Sequence, residues 1–409
     1  MAVSGTGRAA GHRAVTLARI SGGACVFALL AACAPPPSGD SRPADLPPRP
    51  SIAVTRAWPA MGTMFVATAW GAPRDSALLL SLLRDARDSI RLVDSLMSGY
   101  SGASEISAIN RAAGEPMAVA VSPQTLAVLA IARRYWRISG GAFDPTVGPL
   151  VAAWGFHGNA GRVPDARELD SLRALIGFAA VEIDSAMGTV RLPRPGMQLD
   201  LGGVAKGYAL DLARAALGNA AVRAGMLDLG GNVLVVGRAP GTSDGRWRIG
   251  IVHPRDASRT IGSIALDSGA VATSGDYERY YVIDGERYSH IIHPATGRPT
   301  SSGEGSVISA TAIGPRGEWS DGLSATLLLL GPERGIALAD SLAGVGVVYV
   351  VQGADSAVTT VDVQTSARAA ARFTPAASLT VLPGSARTPA PALCAAACPP
   401  MQRSVPSAP

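Results

Sequence analysis

Asp200-Leu201-Gly202-Gly203-Val204-Ala205-Lys206-Gly207-Tyr208 is the stretch around which the rest of the chain is organised. Paired glycines let a backbone approach a ligand without interference from a Cβ. The pattern predicts a strand-to-helix junction, with a helix from about Gly203 through Tyr208, Leu212 and Leu217. The first turn of such a helix offers unsatisfied N–H groups and a positive dipole end, which suits phosphate. Lys206 falls in that turn, where its ammonium would meet a diphosphate. The Gly203 carbonyl would be free to face a cation. Out of context, the same residues are a tight turn followed by a solvated lysine.

The motif has an echo. Leu199-Asp200-Leu201-Gly202-Gly203 recurs as Leu227-Asp228-Leu229-Gly230-Gly231, each an acid before paired glycines at the end of a short apolar segment. Around both, helices and strands are mixed. Apolar residues at helical spacing run from Asp75 to Ser98 (Leu78, Leu82, Ile90, Val93, Leu96). Ser122-Pro123 is a cap and first-turn pair for a helix that stops at Gly140-Gly141. Another helix is predicted from near Ser320 to Gly331-Pro332. Strand-like stretches are Phe65–Ala69, Val181–Ile183, Val233–Val236, Trp247–Val252, Tyr280–Ile283, Val307–Ala312 and Gly346–Val351. The fold class is therefore α/β (α+β). The order is not a regular βαβ alternation, and no GxGxxG or Walker A sequence occurs, so a Rossmann fold is not expected.

The 409 residues include 47% hydrophobic and 16% charged side chains, enough for a sizeable core. The net charge of +5 comes from isolated Arg residues rather than a basic run, so nucleic acid is not an expected partner. Cys25 and Cys33 lie near the start, Cys394 and Cys398 in a Pro/Ala-rich tail, and none between. A disulfide framework, a zinc-finger spacing and a core cysteine nucleophile are thus excluded. The tail pair stands either as a bridge or metal pair, or as two cysteines in a flexible segment.

At the start, Arg8, His12, Arg13 and Arg19 precede the short apolar run Ala24–Leu30, too short to span a bilayer. Leu30-Ala31-Ala32-Cys33 then resembles a lipobox, with Cys33 lipidated after cleavage; an ordinary signal cleaved nearby is the alternative. Residues 1–32 are read as a lipoprotein signal peptide and 33–50 as a Pro-rich tether. Residues 51–370 form the globular domain, and 371–409 a low-complexity tail expected to be disordered. The chain is expected to be exported and lipid-anchored to a bacterial membrane facing the periplasm. Ala34 carries no acidic retention signal, which favours the outer membrane.

Three further constellations carry chemistry. Asp321, in Ser320-Asp321-Gly322-Leu323-Ser324, is either a helix-dipole partner or a hard oxygen ligand for Mg²⁺. Tyr288-Ser289-His290-Ile291-Ile292-His293-Pro294 would point His290 and His293 to opposite faces, which argues against joint ligation. His290 stands either as a general base or as a structural histidine. Gly141-Ala142-Phe143-Asp144-Pro145-Thr146-Val147-Gly148 has the Gly/Pro density of a shaped loop, with Asp144 its only charge. Met61-Gly62-Thr63 and Tyr100–Ile106 are further loop-like stretches suited to packing against a flat ring.

Taken in order, these segments resemble the ApbE family of FAD:protein FMN transferases, from about Ser51 to Val351. The blocks are Met61-Gly62-Thr63; Tyr100 with Ser104-Glu105-Ile106 and Asn110; Gly141–Leu150 with Trp154-Gly155; and Asp200–Tyr208. They continue with Leu229-Gly230-Gly231-Asn232, Thr273-Ser274-Gly275, Ser289–Pro299 and Ser320–Gly331. The resemblance implies a single T-fold-type domain and Mg²⁺-dependent transfer of FMN from FAD onto a Thr or Ser hydroxyl of a target flavoprotein, with AMP released. By likeness, Met61, Tyr100, Ala142, Phe143, Asp144, Asp200, Lys206 and Ile291 would line the FAD site. His290 would be the base. Gly203, Asp321 and the early turns of its helix would hold the metal.

One departure bears on the metal. The family places a Thr four residues after the Asp, and here that position is Ala325. Because i+3 shares a helix face with i, Ser324 is the expected substitute ligand, with reduced metal affinity. His293 also stands where an Asp is frequent. Two other functions use the same site: a metal-dependent FAD hydrolase giving FMN and AMP, and a non-catalytic FAD-binding lipoprotein.

Overall fold

In the computed structural model the described residues are 51–157, 161–300, 306–353 and 361–376. Residues 1–32, the tether with Cys33, and Cys394 and Cys398 lie outside them.

β1 (Ile52–Ala60) and β2 (Thr63–Gly71) form a hairpin. Its turn, Met61-Gly62, has φ of 49° and 73°. Two successive positive φ values are the mark of the tight turn that matches strand twist. α1 (Ser76–Met97) buries Leu79, Leu83, Ala86, Ile90, Val93 and Met97, the stripe that an amphipathic helix turns to a core. α2 (Glu105–Arg111) follows, capped by the Ser104 hydroxyl, which accepts from Ser107 N–H. The loop expected over Tyr100–Ile106 therefore gives its last two residues, Glu105 and Ile106, to a helix. After β3 (Val119–Ala120), α3 (Pro123–Ile138) starts on Ser122 as cap and stops at Gly140-Gly141, as read from the sequence. α4 (Gly148–Ala153), α5 (Ala166–Arg173), β4 (Glu182–Asp184) and β5 (Thr189–Arg191) come next.

α6 (Ala205–Ala213) begins just past Gly202-Gly203 and runs on as a 3₁₀ segment, Arg214–Gly218. The predicted strand before it is absent. Only one isolated parallel bridge, Val147 to Gln198, precedes Asp200. The echo motif does end a strand: β6 (Ala224–Leu229) turns at Gly230-Gly231 into β7 (Asn232–Gly237). Then come β8 (Trp247–His253), β9 (Asp256–Leu266), β10 (Gly269–Gly275), β11 (Tyr280–Ile283), β12 (Glu286–Ser289) and β13 (Val307–Gly314). α7 (Gly317–Ser341) starts three residues earlier than expected and is broken at Gly331, where φ is 72° and Pro332 follows. β14 (Gly346–Gln352), β15 (Val361–Thr365), α8 (Ala367–Ala370) and β16 (Phe373–Pro375) complete the chain. β16 pairs with β9, so the fold continues past residue 370.

Eight strands form one sheet in the order β1-β2-β6-β7-β10-β13-β14-β15, with every pairing antiparallel. α1, α6 and α7 cover one face, and the small β16-β9-β8 sheet packs its Trp247, Ile251 and Ile264 against the other. β13 and β14 are buried on both faces for that reason: β14 reads as an apolar run through Val351, and β13 breaks its own only with the small buried hydroxyl residues Ser309 and Thr311.

Candidate active site

α6 and α7 cross at Gly207, where an added Cβ would stand 2.3 Å from the Gly317 carbonyl and 2.5 Å from Asp321 Cβ. Only a glycine permits that approach. It brings the Asp321 carboxylate onto the first turn of α6, where Oδ2 accepts from Gly207 N–H at 2.7 Å. Oδ1 accepts from the buried Asn232 amide, also at 2.7 Å. Burial pushes the Asp321 carboxyl above its ordinary value, while Lys206 and these donors pull it down. The Lys206 ammonium makes no hydrogen bond or ion pair among the described residues, and it lines a cleft of about 1000 Å³ beside Asp321.

Asp200 reaches the cleft on an extended segment. Asn110 holds that segment from α2: its Nδ2 donates to the Leu199 carbonyl at 3.0 Å, and its Oδ1 accepts from Leu199 N–H at 2.7 Å. Asp200 N–H donates to the Pro145 carbonyl at 2.7 Å. The Asp200 carboxylate turns back on its own glycines, Oδ1 accepting from Gly202 N–H at 2.8 Å. Oδ2 pairs with His157 Nε2 at 3.1 Å. Burial alone would raise this carboxyl, but His157 and the Gly202 N–H outweigh it and the pKa falls below the usual range.

His290 sits at the end of β12, over Phe156 at 6.3 Å between ring centroids. Its Nδ1 is 3.1 Å from the Arg279 carbonyl, which only accepts. Nδ1 therefore carries the proton, and Nε2 keeps its lone pair. Burial, then the Arg279 charge, lowers the imidazole pKa to about 4. The ring is neutral at physiological pH, the state a general base needs.

Met61 enters from the β1–β2 turn, its N–H donating to Asp94 Oδ2 at 2.9 Å. Phe143 comes from the loop after α3. Asp144 shapes that loop: Oδ1 accepts from Thr146 N–H and Oγ1 at 2.8 and 2.5 Å, and Oδ2 from Phe178 N–H at 3.0 Å.

Met61, Tyr100, Phe143, Asp144, Asp200, Gly203, Lys206, His290, Ile291 and Asp321 all line the one cleft. Ala142 and Ser324 do not. Ala142 is packed under the loop, 9% exposed. Ser324, 1% exposed, donates to the Asp321 carbonyl at 2.8 Å and shares a 2.8 Å hydrogen bond with Ser274. The expectation that it replaces the missing Thr is corrected by helix phase: Ala325 and Leu329 carry the Asp321 face of α7 to the cleft, and Ser324 turns toward β10. On β10, Thr273 and Ser274 bring hydroxyls to the wall. His157, Asp94, Glu278 and Arg279 also line the cleft and were not singled out by sequence; Asn110 and Asn232 were named without a role. His157 lies two residues after Trp154-Gly155, so its neighbourhood carried the signal.

A divalent ion fits here by its donors: one buried carboxylate destabilised by burial, and a main-chain carbonyl at Gly203, next to α7. Among the described residues no cluster of three His, Cys, Asp or Glu forms a cage. That set matches Mg²⁺, which completes its shell with waters and substrate phosphates.

The profile of the ApbE family matches residues 61–349. An FAD:protein FMN transferase of Vibrio cholerae serotype O1 is 38% identical over 255 residues, 61% of this chain and 73% of that protein. One from Klebsiella pneumoniae is 34% identical over 269 residues, 65% of this chain and 81% of its own. Among solved structures, the flavin transferase ApbE from Vibrio cholerae superposes with a TM-score of 0.67 at 32% identity, covering 79% of this chain and all of that one. The ApbE protein of Thermotoga maritima gives 0.66 at 32% identity, over 73% of this chain and 94% of its own.

Proposed function

The chain belongs to the ApbE family, and on that footing we propose that it is an Mg²⁺-dependent FAD:protein FMN transferase acting on a Thr or Ser hydroxyl of a target flavoprotein. One observation carries the reading. Lys206, Gly203, Asp321 and the neutral His290 converge from three separate segments on one cleft large enough for a dinucleotide.

The first turn of α6 and the Lys206 ammonium take up the charge of the FAD diphosphate. The Met61, Phe143 and Ile291 side chains and the Tyr100 ring give the apolar walls that a flavin ring needs. His290 Nε2 accepts the proton of the acceptor hydroxyl, whose oxygen bonds to the FMN phosphorus. The diphosphate bridge breaks, and AMP leaves with the bridging oxygen. Mg²⁺, held by Asp321 and the Gly203 carbonyl, would supply charge neutralisation at the two phosphates.

Ala325 on the cleft wall favours a second reading, an FAD-binding protein with little turnover, because the helix turn beside Asp321 offers a methyl instead of a hydroxyl. Mass spectrometry of a periplasmic acceptor domain after incubation with the protein, FAD and Mg²⁺ decides between them. A metal-dependent mass gain equal to FMN on a Thr or Ser establishes the transferase. AMP without acceptor modification points to hydrolysis, and bound FAD without AMP to the carrier.

The proposal extends to location. The Leu30-Ala31-Ala32-Cys33 sequence supports export and a lipid anchor at Cys33 facing the periplasm, in the outer membrane. Fatty-acid labelling that survives Cys33→Ala would remove the anchor from that residue.

A further inference from the structure

Arg279 lines the cleft, and the hydrogen bonds of its guanidinium have no part in the reading above. Its fork reaches two segments remote in sequence. Nη1 donates to the Tyr100 hydroxyl at 2.7 Å, and Nη2 to the Phe156 carbonyl at 2.8 Å. The guanidinium carbon also lies 5.8 Å from the Tyr100 ring centroid. The Tyr100 hydroxyl closes the triangle by donating to the Phe156 carbonyl at 3.3 Å. Tyr100 is 63% exposed and has few other restraints.

The main chain of the same residue faces the other way. The Arg279 carbonyl accepts the His290 N–H at 3.0 Å and meets His290 Nδ1 at 3.1 Å. Arg279 and His290 are the residues immediately outside the β11–β12 hairpin, so the hairpin closes between them. The inner face of that hairpin is fixed by Tyr281, whose ring stacks on Phe156 at 5.0 Å and whose hydroxyl donates to the Gly155 carbonyl. A guanidinium tied to Phe156 therefore also fixes where its own carbonyl presents itself to the imidazole.

We propose that Arg279 is a positioning residue that couples the Tyr100 wall of the flavin site to the orientation and tautomer of His290. This rests on the roles given to Tyr100 and His290 under the proposed function and adds what holds them. A lysine cannot serve equally, because a point charge makes one directed contact where the planar fork makes two.

The test uses Arg279→Lys and Arg279→Ala in the whole protein, each alone and combined with Tyr100→Phe and with His290→Ala. FAD affinity is read from flavin fluorescence and kcat at saturating FAD. The His290 tautomer is read from ¹⁵N shifts of labelled imidazoles, and folding from the melting temperature. Arg279→Lys should fold with its Tm nearly unchanged, bind FAD roughly tenfold more weakly and lose about as much in kcat, since charge-assisted hydrogen bonds have that worth. His290 should pass from one tautomer to a mixture. The affinity loss of Arg279→Ala should shrink in the Tyr100→Phe background, and its kcat loss should vanish in His290→Ala. Losses that are additive in the Tyr100 cycle would overturn the proposal, as would a lowered Tm with FAD affinity and kcat unchanged in the folded protein. Full turnover by His290→Ala would sink the base assignment separately, leaving the Tyr100 affinity cycle to decide for or against Arg279.

Discussion

Asp211 and Asp321 cap each other's helices. Asp211, on α6, accepts from Gly317 and Glu318 N–H at the start of α7, both at 2.9 Å. Asp321, on α7, accepts from Gly207 N–H in the first turn of α6 at 2.7 Å. Neither helix has a capping side chain of its own at its N-terminus. The exchange satisfies donors that a buried helix end would otherwise leave orphaned. It also sets one carboxylate apart: Asp211 is wholly structural, whereas Asp321 additionally lines the cleft.

Asp321 thus has two roles, and two substitutions separate them. Asp321→Ala removes the cap and strands the Asn232 amide, which together should cost about 2 kcal/mol in denaturant unfolding. Asp321→Asn keeps an acceptor for Gly207, and the Asn232 amide can turn its oxygen to the new NH₂. It should stay within about 1 kcal/mol of wild type yet lose Mg²⁺-dependent AMP release. Undiminished AMP release by Asp321→Asn would leave Asp321 as a cap alone.

Ala325→Thr puts a hydroxyl on the turn that faces the cleft beside Asp321. Tighter Mg²⁺ binding is expected, seen as a lower half-saturating Mg²⁺ concentration for turnover, by roughly threefold to tenfold (about 1 kcal/mol for one added ligand bond). An unchanged Mg²⁺ curve would mean that this face of α7 does not reach the ion.

The pH dependence follows from His290. Its folded pKa of about 4 lies below the ordinary value, so the base is already deprotonated through the neutral range. With respect to this group kcat/KM should be flat from pH 8 down to about pH 5 and fall as pH approaches 4. The linked stability has the same sign. The unfolded chain takes up a proton on this histidine near pH 6.5 while the folded one resists, so stability is lost as pH falls between 6.5 and 4. An acid limb centred near 6.5 would show that His290 is as solvated as a free imidazole, or is not the base.

Lys206→Ala should weaken FAD binding by roughly tenfold to a hundredfold, the worth of one charge-assisted contact to a phosphate. Flavin fluorescence titration reads it directly. Unchanged affinity would return Lys206 to a solvated role.

Local signals made the long elements legible. The span of α1, the Ser122-Pro123 start of α3 and the apolar stretches of β13 and β14 are legible in the sequence. Of the stripe expected for α1, however, only Ile90 and Val93 are buried, while Leu78, Leu82 and Leu96 lie beside the buried face. β1 was missed because eight of its nine positions are exposed or half-buried, and β10 because Gly269-Ala-Val-Ala-Thr-Ser-Gly is too small to announce a strand. The strand before Asp200 was expected because side-chain pattern cannot show that Asn110 supplies the pairing a neighbouring strand would. The site residues were legible as motifs, but the phase of Ser324 against Ala325 was not. Both lie within one turn of Asp321, and only the packing of α7 on β10 decides which faces the cleft.

Gly207→Ala sets two magnitudes against each other. In an isolated helix the change would stabilise α6 by about 1 kcal/mol, since glycine is a poor helix former. Here the new methyl would stand 2.3 Å from the Gly317 carbonyl oxygen and 2.5 Å from Asp321 Cβ, both main-chain or stem atoms that cannot swing aside. α6 and α7 must separate, and overpacking of this kind costs about 1–3 kcal/mol. Separation also lengthens the Gly207–Asp321 hydrogen bond on which the placement of the carboxylate depends. Packing should win: the midpoint of urea unfolding should fall, and Mg²⁺-dependent turnover of the remaining folded protein should fall with it. A variant more stable than wild type would mean that the two helices have room at this crossing, and that Asp321 is not held against α6 as described.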